Sequence, residues 1–422
     1  MKYRNRVLGL LSILLALTTL DRICISVAGP RMQDALHIGP VGWGWVNGVF
    51  TLAYGLFEIP TGTLGDRFGP RKILTRIVLW WSAFTAMTGL VTGLGPLLAI
   101  RFLFGIGEAS AYPNASIVVA RWFPVEERGR AFGFLLMAAQ LGGASAPLLV
   151  VPLQSHFGWR ASFFVFSLLG PLWGFFWYRW FRDSPAEKSG VSPAELAETV
   201  SLNTVAHTAM PWTFALRNWN VWAIVAICFC YLYTYSFFTS RFHTYLVKAR
   251  GFRESDLWLS ALPFVVAALA NFVGGCVSNI LVLRIGLRWG RCAIGAAGLL
   301  IASCSIAGVL LTHSSSATLL FLTCAIAGIT FQQPIAFAVC LDIGGPFAGA
   351  MVGIFNTAAG AAGFVGAIAF GYIVKASGGY TLPFVPMVAF LLMGVLLWLK
   401  IDPRRQIVPA LPVEPELVAA PA

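Results

Sequence analysis

The sequence predicts an all-α polytopic membrane protein with twelve transmembrane helices in two six-helix bundles. Three observations predict it. The chain has 422 residues, 58% hydrophobic and only 11% charged, whereas soluble domains run about 25% charged. Apolar stretches of about 20 residues, long enough to cross a bilayer, follow one another along it. One long polar connection, residues 181–217, leaves six such stretches on either side.

The stretches cover 7–28, 43–64, 73–93, 96–120, 131–153 and 159–180 in the first half. In the second they cover 218–240, 257–282, 291–311, 316–341, 347–373 and 379–400. Gly, Ala and Ser recur within them and permit close helix packing. The first stretch contains Asp21 and Arg22, is long enough to span, and precedes many further spans. It therefore reads as a span and not as a secretion signal. The predicted organisation is a bundle at 1–180, a cytoplasmic connection at 181–217, a second bundle at 218–402 and a disordered tail at 403–422, rich in Pro, Ala, Val and Glu. All eight cysteines lie in or beside apolar stretches, which points to small apolar packing groups and away from disulfides. No Cys/His cluster suggests a metal.

The net charge of +12 invites a nucleic-acid reading, but the basic residues form no single patch. With both termini on one side, twenty of the 29 Lys and Arg fall on that side and seven on the other. This bias predicts cytoplasmic termini. Lys248–Arg253 runs against it, either as a mouth that gathers anions or as a solvated loop. Arg22 and Arg101 belong to neither side, because they lie within spans.

Those two arginines carry the functional argument. An ionised group at mid-bilayer costs about 2.5–3.5 kcal/mol on insertion scales and usually faces a bundle interior or an aqueous cavity. Arg101 and Glu108 are seven apart, about two turns, and share one helix face. Asp21 and Arg22 are neighbours whose side chains diverge by about 100°, so Arg22 is the one expected to face a pathway. Arginine suits an organic anion, because its planar fork donates parallel hydrogen bonds to a carboxylate and does not deprotonate. A structural ion pair between Arg101 and Glu108, and a capping role for Asp21, are the alternatives. Glu58, just before Pro60, is expected to pair with cations at the cytoplasmic end or else to take up a proton. Trp80, Trp81, Trp173 and Trp177 read as interfacial or lipid-facing. Tyr231 and Tyr235 share a face of span 7 and could line a cavity. His156, His207, His243 and His313 lie in loops or at span ends and read as bystanders.

The segment GTLGDRFGPRK, 62–72, lies between spans 2 and 3. Its Gly62 permits close helix approach, and Asp66, Arg67 and Arg71 can bridge helix ends during gating. It resembles the loop 2–3 signature of the major facilitator superfamily. GGCVSNILVLRIGLR, 274–288, resembles a degraded second copy, with Asn279 where relatives often carry an acid. The resemblance narrows to the anion:cation symporter family, which includes bacterial sugar-acid symporters and the animal sialin and vesicular glutamate carriers. It rests on Asp21–Arg22, RFLFGIGEASAYPN (101–114), RWFPVEERGRAFGF (121–134), GWR (158–160), DSPAEK (183–188) and Glu195, and covers nearly the whole chain. The resemblance implies substrate binding by Arg22, Arg101, Tyr54, Gln140 and Asn356, and proton coupling by Asp21 and Glu108. The residues at Arg241, His243 and Tyr245 depart from the family's pattern at the end of span 7.

The expected function is import of a sugar-acid carboxylate by proton symport through alternating access. A proton on Glu108 would loosen its hold on Arg101, and the freed guanidinium, with Arg22, would take the substrate carboxylate. The expected partners are a small organic anion, a proton and the lipid bilayer, with no nucleic acid and no cofactor beyond the coupling ion. The expected form is a monomer in a bacterial inner membrane. Alternatives are an exchanger of organic anions or phosphate esters and an exporter of acidic compounds. A membrane enzyme or solute-sensing receptor is disfavoured, since no nucleophile–base set, phosphate-cradling loop or signalling domain is present.

Overall fold

The computed structural model describes residues 2–123, 125–193, 195–196, 212–344 and 348–405. The tail beyond 405 and the stretch 197–211 lie outside them. Among the described residues all regular structure is helical. The helices are α1 (Tyr3–Ala35), α2 (Pro40–Phe68), α3 (Pro70–Thr88), α4 (Leu94–Glu108), α5 (Ala111–Trp122), α6 (Val125–Phe157) and α7 (Trp159–Trp180). They continue with α8 (Trp212–Arg217), α9 (Trp219–Ser240), α10 (Phe242–Arg250), α11 (Ala261–Ile285), α12 (Leu287–Leu311), α13 (Ser315–Gly344), α14 (Ala348–Ser377) and α15 (Phe384–Lys400).

Among the described residues nine helical segments are long and apolar enough to cross a membrane. With α2, α3 and the shorter α15 they make twelve spans. Their outer faces are greasy: Leu283, Leu311, Phe157 and Phe272 are each more than two-thirds exposed. That is a liability in water and the normal state of a surface solvated by lipid.

One span differs from the continuous helices expected. Span 4 breaks at Ala109–Ser110 into α4 and α5. Pro113 explains the break, because it has no N–H to donate and its ring clashes with the carbonyl four residues back. Span 7 is continuous as α9, and beyond it the chain turns at Arg241 into the short α10.

The packing carries an internal repeat. Span 2 lies along span 11 (α2 on α14), and span 5 lies along span 8 (α6 on α11). Adding six to one pair gives the other, as expected of a duplicated six-helix unit. The conserved geometry extends to the turns. Gly69, between α2 and α3, has φ +83°, and Gly286, between α11 and α12, has φ +84°. Both conformations suit glycine alone. A Cβ added at Gly69 would also strike the carboxylate of Asp183.

The motif residues act as helix-end fasteners. The amide of Arg71 donates to Asp183 Oδ1 at 2.8 Å, so an acid from the segment after α7 caps the start of α3. The Arg71 guanidinium donates to the carbonyl of Tyr178 at the end of α7 and lies 4.4 Å over that residue's ring. Glu195 does the same for α1, accepting from the amides of Tyr3 (3.1 Å) and Arg4 (2.9 Å). In the second copy, Arg291 donates to Asn279 Oδ1 at 3.1 Å and reaches Asp342 at 3.3 Å. Asp342 supplies the charge that Asn279 lacks.

Three of the four tryptophans expected at the lipid face are in the core. Trp81, Trp173 and Trp177 are buried. Trp173 stacks on Trp177 at 5.0 Å, and Trp177 on Phe181 at 3.9 Å. Trp80 is partly exposed and donates to the carbonyl of Leu103.

Candidate functional site

Four of the residues singled out in the sequence meet at one place. Arg22 projects from the middle of α1, Tyr54 from α2, and Arg101 and Glu108 from α4. What lets them meet is Gly105, midway between Arg101 and Glu108. A Cβ there would lie 2.6 Å from the carbonyl oxygen of Phe50, so α4 settles directly on α2 at Phe50–Tyr54.

The charged groups then arrange around one aromatic ring. The Arg101 guanidinium carbon is 4.4 Å from the Phe50 ring centroid and the Arg22 carbon is 5.5 Å from it. Arg22 also lies 4.4 Å over Tyr54, and Arg101 5.0 Å over Phe104. Stacking of this kind is favourable, and more so when desolvated. Phe50 therefore holds both arginines. Its apolar side chain gave the sequence reading no signal beyond its place one turn before Tyr54.

Glu108 does not pair with Arg101. Its Oε1 accepts from Arg22 Nε at 2.7 Å, with Glu108 sealed and the Arg22 side chain 26% exposed. The break at Ala109 ends α4 at Glu108 and turns it toward α1. The expected hold of Glu108 on Arg101 is thus corrected: the arginine bonded to Glu108 is Arg22. Several polar atoms here have no partner among the described residues, namely Arg22 Nη2, Arg101 Nε, Glu108 Oε2 and Asp21 Oδ1. Asp21 faces α3, where Thr85 donates to its Oδ2 at 3.1 Å. It backs the cluster, as the divergence from Arg22 implied.

Gln140 and Asn356 lie at bridges between the halves. Tyr235 OH donates to Gln140 Oε1 at 3.5 Å, a long contact that joins α9 to α6. Asn356 Nδ2 donates to Glu58 Oε1 at 3.3 Å, joining α14 to α2. Among the described residues Glu58 pairs with Asn356 and with no cytoplasmic-end cation. Tyr231 is fully buried, unlike Tyr235, and does not share its role. The motif residues assigned to gating divide differently. Arg71 binds within its own half, Arg67 is exposed over Phe68, and the contacts of Gly62 and Asp66 lie outside the described residues.

At the end of the bundle away from the termini, the halves are latched together. Gln33 Nε2 donates to Thr244 Oγ1 at 2.9 Å, and Trp43 Nε1 to the carbonyl of Ser240 at 3.2 Å. Lys248 pairs with Asp34 at 2.6 Å. Arg241 is buried, donating to the carbonyls of Pro40 (3.1 Å) and Ala367 (2.9 Å). His243, read from sequence as a bystander, is wholly buried between Ser26 Oγ at 3.0 Å and Ser260 Oγ at 2.9 Å. Ser260 spends its proton on the carbonyl of Leu257, so it accepts from His243 Nε2–H. Nδ1 then accepts from Ser26, and the imidazole is the neutral Nε2–H tautomer. Lys248 and Arg250 are likewise committed: Arg250 binds Tyr245 OH and the carbonyls of Thr312 and Val309. Within this loop Lys248 reaches across to Asp34, Arg250 binds inside its own half, and Arg253 is exposed.

The comparisons agree with this architecture. The sequence profile of the Major Facilitator Superfamily matches residues 11–367. The chain is 32% identical to a probable sulfoacetate transporter of Cupriavidus necator, over 95% of this chain and 94% of that one. It is 29% identical to the hexuronate transporter of Bacillus subtilis (89% and 88% covered). It is 30% identical to a probable galactarate/D-glucarate transporter of the same organism (92% and 90%). Among solved structures, a bacterial homologue of the human lysosomal transporter Spinster shares the fold, with TM-score 0.75 and 20% identity over 94% of this chain and 96% of that one. These relatives are consistent with the anion:cation symporter branch that the motifs resemble. By its sequence, its repeat and its fold, the chain belongs to the major facilitator superfamily and is a multi-pass membrane transporter, not an enzyme.

Proposed function

We propose that the protein imports a small organic anion together with a proton. One observation carries the reading. Arg22 and Arg101 lie against the same ring, and each keeps a buried N–H donor with no partner among the described residues. Donors left free in a low-dielectric site are costly unless something arrives to accept from them. An oxyanion is the group that suits two guanidinium forks.

Glu108 holds Arg22 in the anion's stead. A proton on Glu108 weakens that bond, and the substrate carboxylate takes its place between Arg22 and Arg101. Charge then stays balanced, since Asp21, Arg22, Arg101 and Glu108 sum to zero when ionised. An unaccompanied anion moving inward would be opposed by about 2.3 kcal/mol per charge per 100 mV; one proton per carboxylate removes that cost. The relatives' substrates, sulfoacetate, hexuronate and galactarate or glucarate, all carry a carboxylate. Tyr54, Gln140, Tyr235 and Asn356 offer neutral groups that can read hydroxyls on such an acid.

The two six-helix halves rock about this site. With cytoplasmic termini in a bacterial inner membrane, the latch through Gln33, Trp43, Arg241 and His243 closes the outer face. The test is uptake of labelled sulfoacetate, galacturonate and glucarate into proteoliposomes under an imposed pH gradient, acid outside. The expected result is accumulation of one of them that collapses with a protonophore and is absent in Arg101→Gln. Uptake that ignores the gradient and requires internal counter-anion would overturn symport in favour of exchange.

A further inference from the structure

Glu58 is a third acid inside the membrane that neither the arginine cluster nor the loop motif uses. It lies on α2 four residues after Tyr54, on the same helix face, and retains only 9% of its surface. Among the described residues its one hydrogen-bond partner is neutral, Asn356 Nδ2 at 3.3 Å, and that partner belongs to the other half of the molecule. Among the described residues the titratable groups around it are Arg22 from α1, Tyr112 from α5 and Tyr54 on its own helix. Arg22, the cation among them, is already bonded to Glu108. An ionised carboxylate at this depth, without a cation of its own, is strongly disfavoured; buried acids in spans that lack a counter-ion mark proton pathways.

The interface around Glu58 is also one that changes with rocking. α2 meets α14 through Gly55 and Gly360, one turn from Glu58 and Asn356, where a Cβ added at Gly55 would lie 3.5 Å from the Gly360 backbone. That close approach shields the carboxyl from water in this conformation. When the halves move apart here, Asn356 leaves and water reaches the acid.

We propose that Glu58 is a second proton-carrying residue of the cycle, neutral while α14 covers it and ionised when the halves part at that point. The proton comes from water and returns to water, and no covalent step is involved. The inference builds on the transport reading above. It predicts two protons for each anion carried: one on Glu108 in exchange for Arg22, and one on Glu58 tied to the motion of α14.

The test has two arms. In infrared spectra of purified protein at neutral pH, the carbonyl band of a protonated carboxyl should be present and should lose one carboxyl's intensity in Glu58→Gln. That variant keeps a side chain able to accept from Asn356, so it should fold. Glu58→Asp, as a second variant, should move the band without deleting it. A band unchanged in Glu58→Gln overturns the proposal. This arm needs no substrate, so it decides the assignment even if anion transport itself fails. In the second arm, the proton:sulfoacetate ratio is read from the voltage that nulls flux across a fixed pH gradient. It should fall by one in Glu58→Gln, and an unchanged ratio overturns the coupling role.

Discussion

Glu108 bonds to Arg22 across the bundle at 2.7 Å, although Arg101 lies two turns back on its own helix. This choice divides the labour between the arginines. In the proposed cycle Arg22 is the exchangeable one, held by a carboxylate that a proton would neutralise. Arg101 is the fixed one, buried against Phe50 and Phe104.

Substitutions should separate these roles. Arg101→Gln removes a buried fork and should reduce uptake by at least a hundredfold, since a charge-assisted pair is worth about 1.5–3 kcal/mol and two are lost at once. Glu108→Gln leaves Arg22 permanently released. It should abolish accumulation driven by a pH gradient while sparing exchange of labelled for unlabelled anion. Full concentrative uptake by Glu108→Gln in proteoliposomes would refute its role.

Phe50 should matter although it has no polar atom. Its ring faces both guanidinium groups, and each cation–π contact is worth about 0.5–2 kcal/mol. Phe50→Leu keeps the apolar volume but not the ring. It should raise the KM for the transported anion about threefold to thirtyfold, with the thermal midpoint little changed, whereas Phe50→Tyr should stay near wild type. Equal effects of Leu and Tyr would show that only packing is at stake.

The charged centre was legible because an arginine or glutamate inside an apolar stretch has few bland explanations. Phe50 was not, because an aromatic on an apolar helix looks like any other core residue. The break after Glu108 had a signal in Pro113, but the surrounding hydropathy runs on smoothly and hid it. Trp81, Trp173 and Trp177 were misplaced because bilayer interfaces and bundle cores favour the same side chains. His243 was misread because its partners, Ser26 and Ser260, are set by how α10 folds back over α1. Glu58 shows the same limit, since its partner is 298 positions away.

The turn between α2 and α3 gives a test of the loop motif as structure. Gly69→Ala must adopt φ +83° and displace Asp183 from the start of α3. Left-handed strain alone costs about 1–3 kcal/mol. Asp183→Asn keeps the shape of the cap and loses its charge, a change of about 0.3–1 kcal/mol. Thermal unfolding in detergent should therefore rank the midpoints wild type, Asp183→Asn, Gly69→Ala. The reverse order would mean that the cap, and not the glycine, fixes this turn.

The latch around His243 should set which side of the transporter is open. Its two hydrogen bonds join Ser26 of α1, one turn from Arg22, to Ser260 at the start of α11. His243→Ala deletes both and leaves the buried Ser26 hydroxyl without its partner, while Ser260 keeps its bond to Leu257. The bond to Ser26 is the one that crosses between the halves; at about 0.5–1.5 kcal/mol, its loss should lower the closed form at that end about twofold to tenfold relative to the open one. Hydrogen exchange should report the shift as faster amide exchange in 22–34 and 240–250. The turn at 69–71, at the other end of the bundle, should exchange as in wild type. Faster exchange at both ends would indicate general loosening. No change at either end would mean that Gln33, Trp43 and Arg241 hold the closure by themselves. Because Ser26 and Arg22 share a helix face, the same variant should also alter anion affinity, which ties the state of the latch to the state of the site.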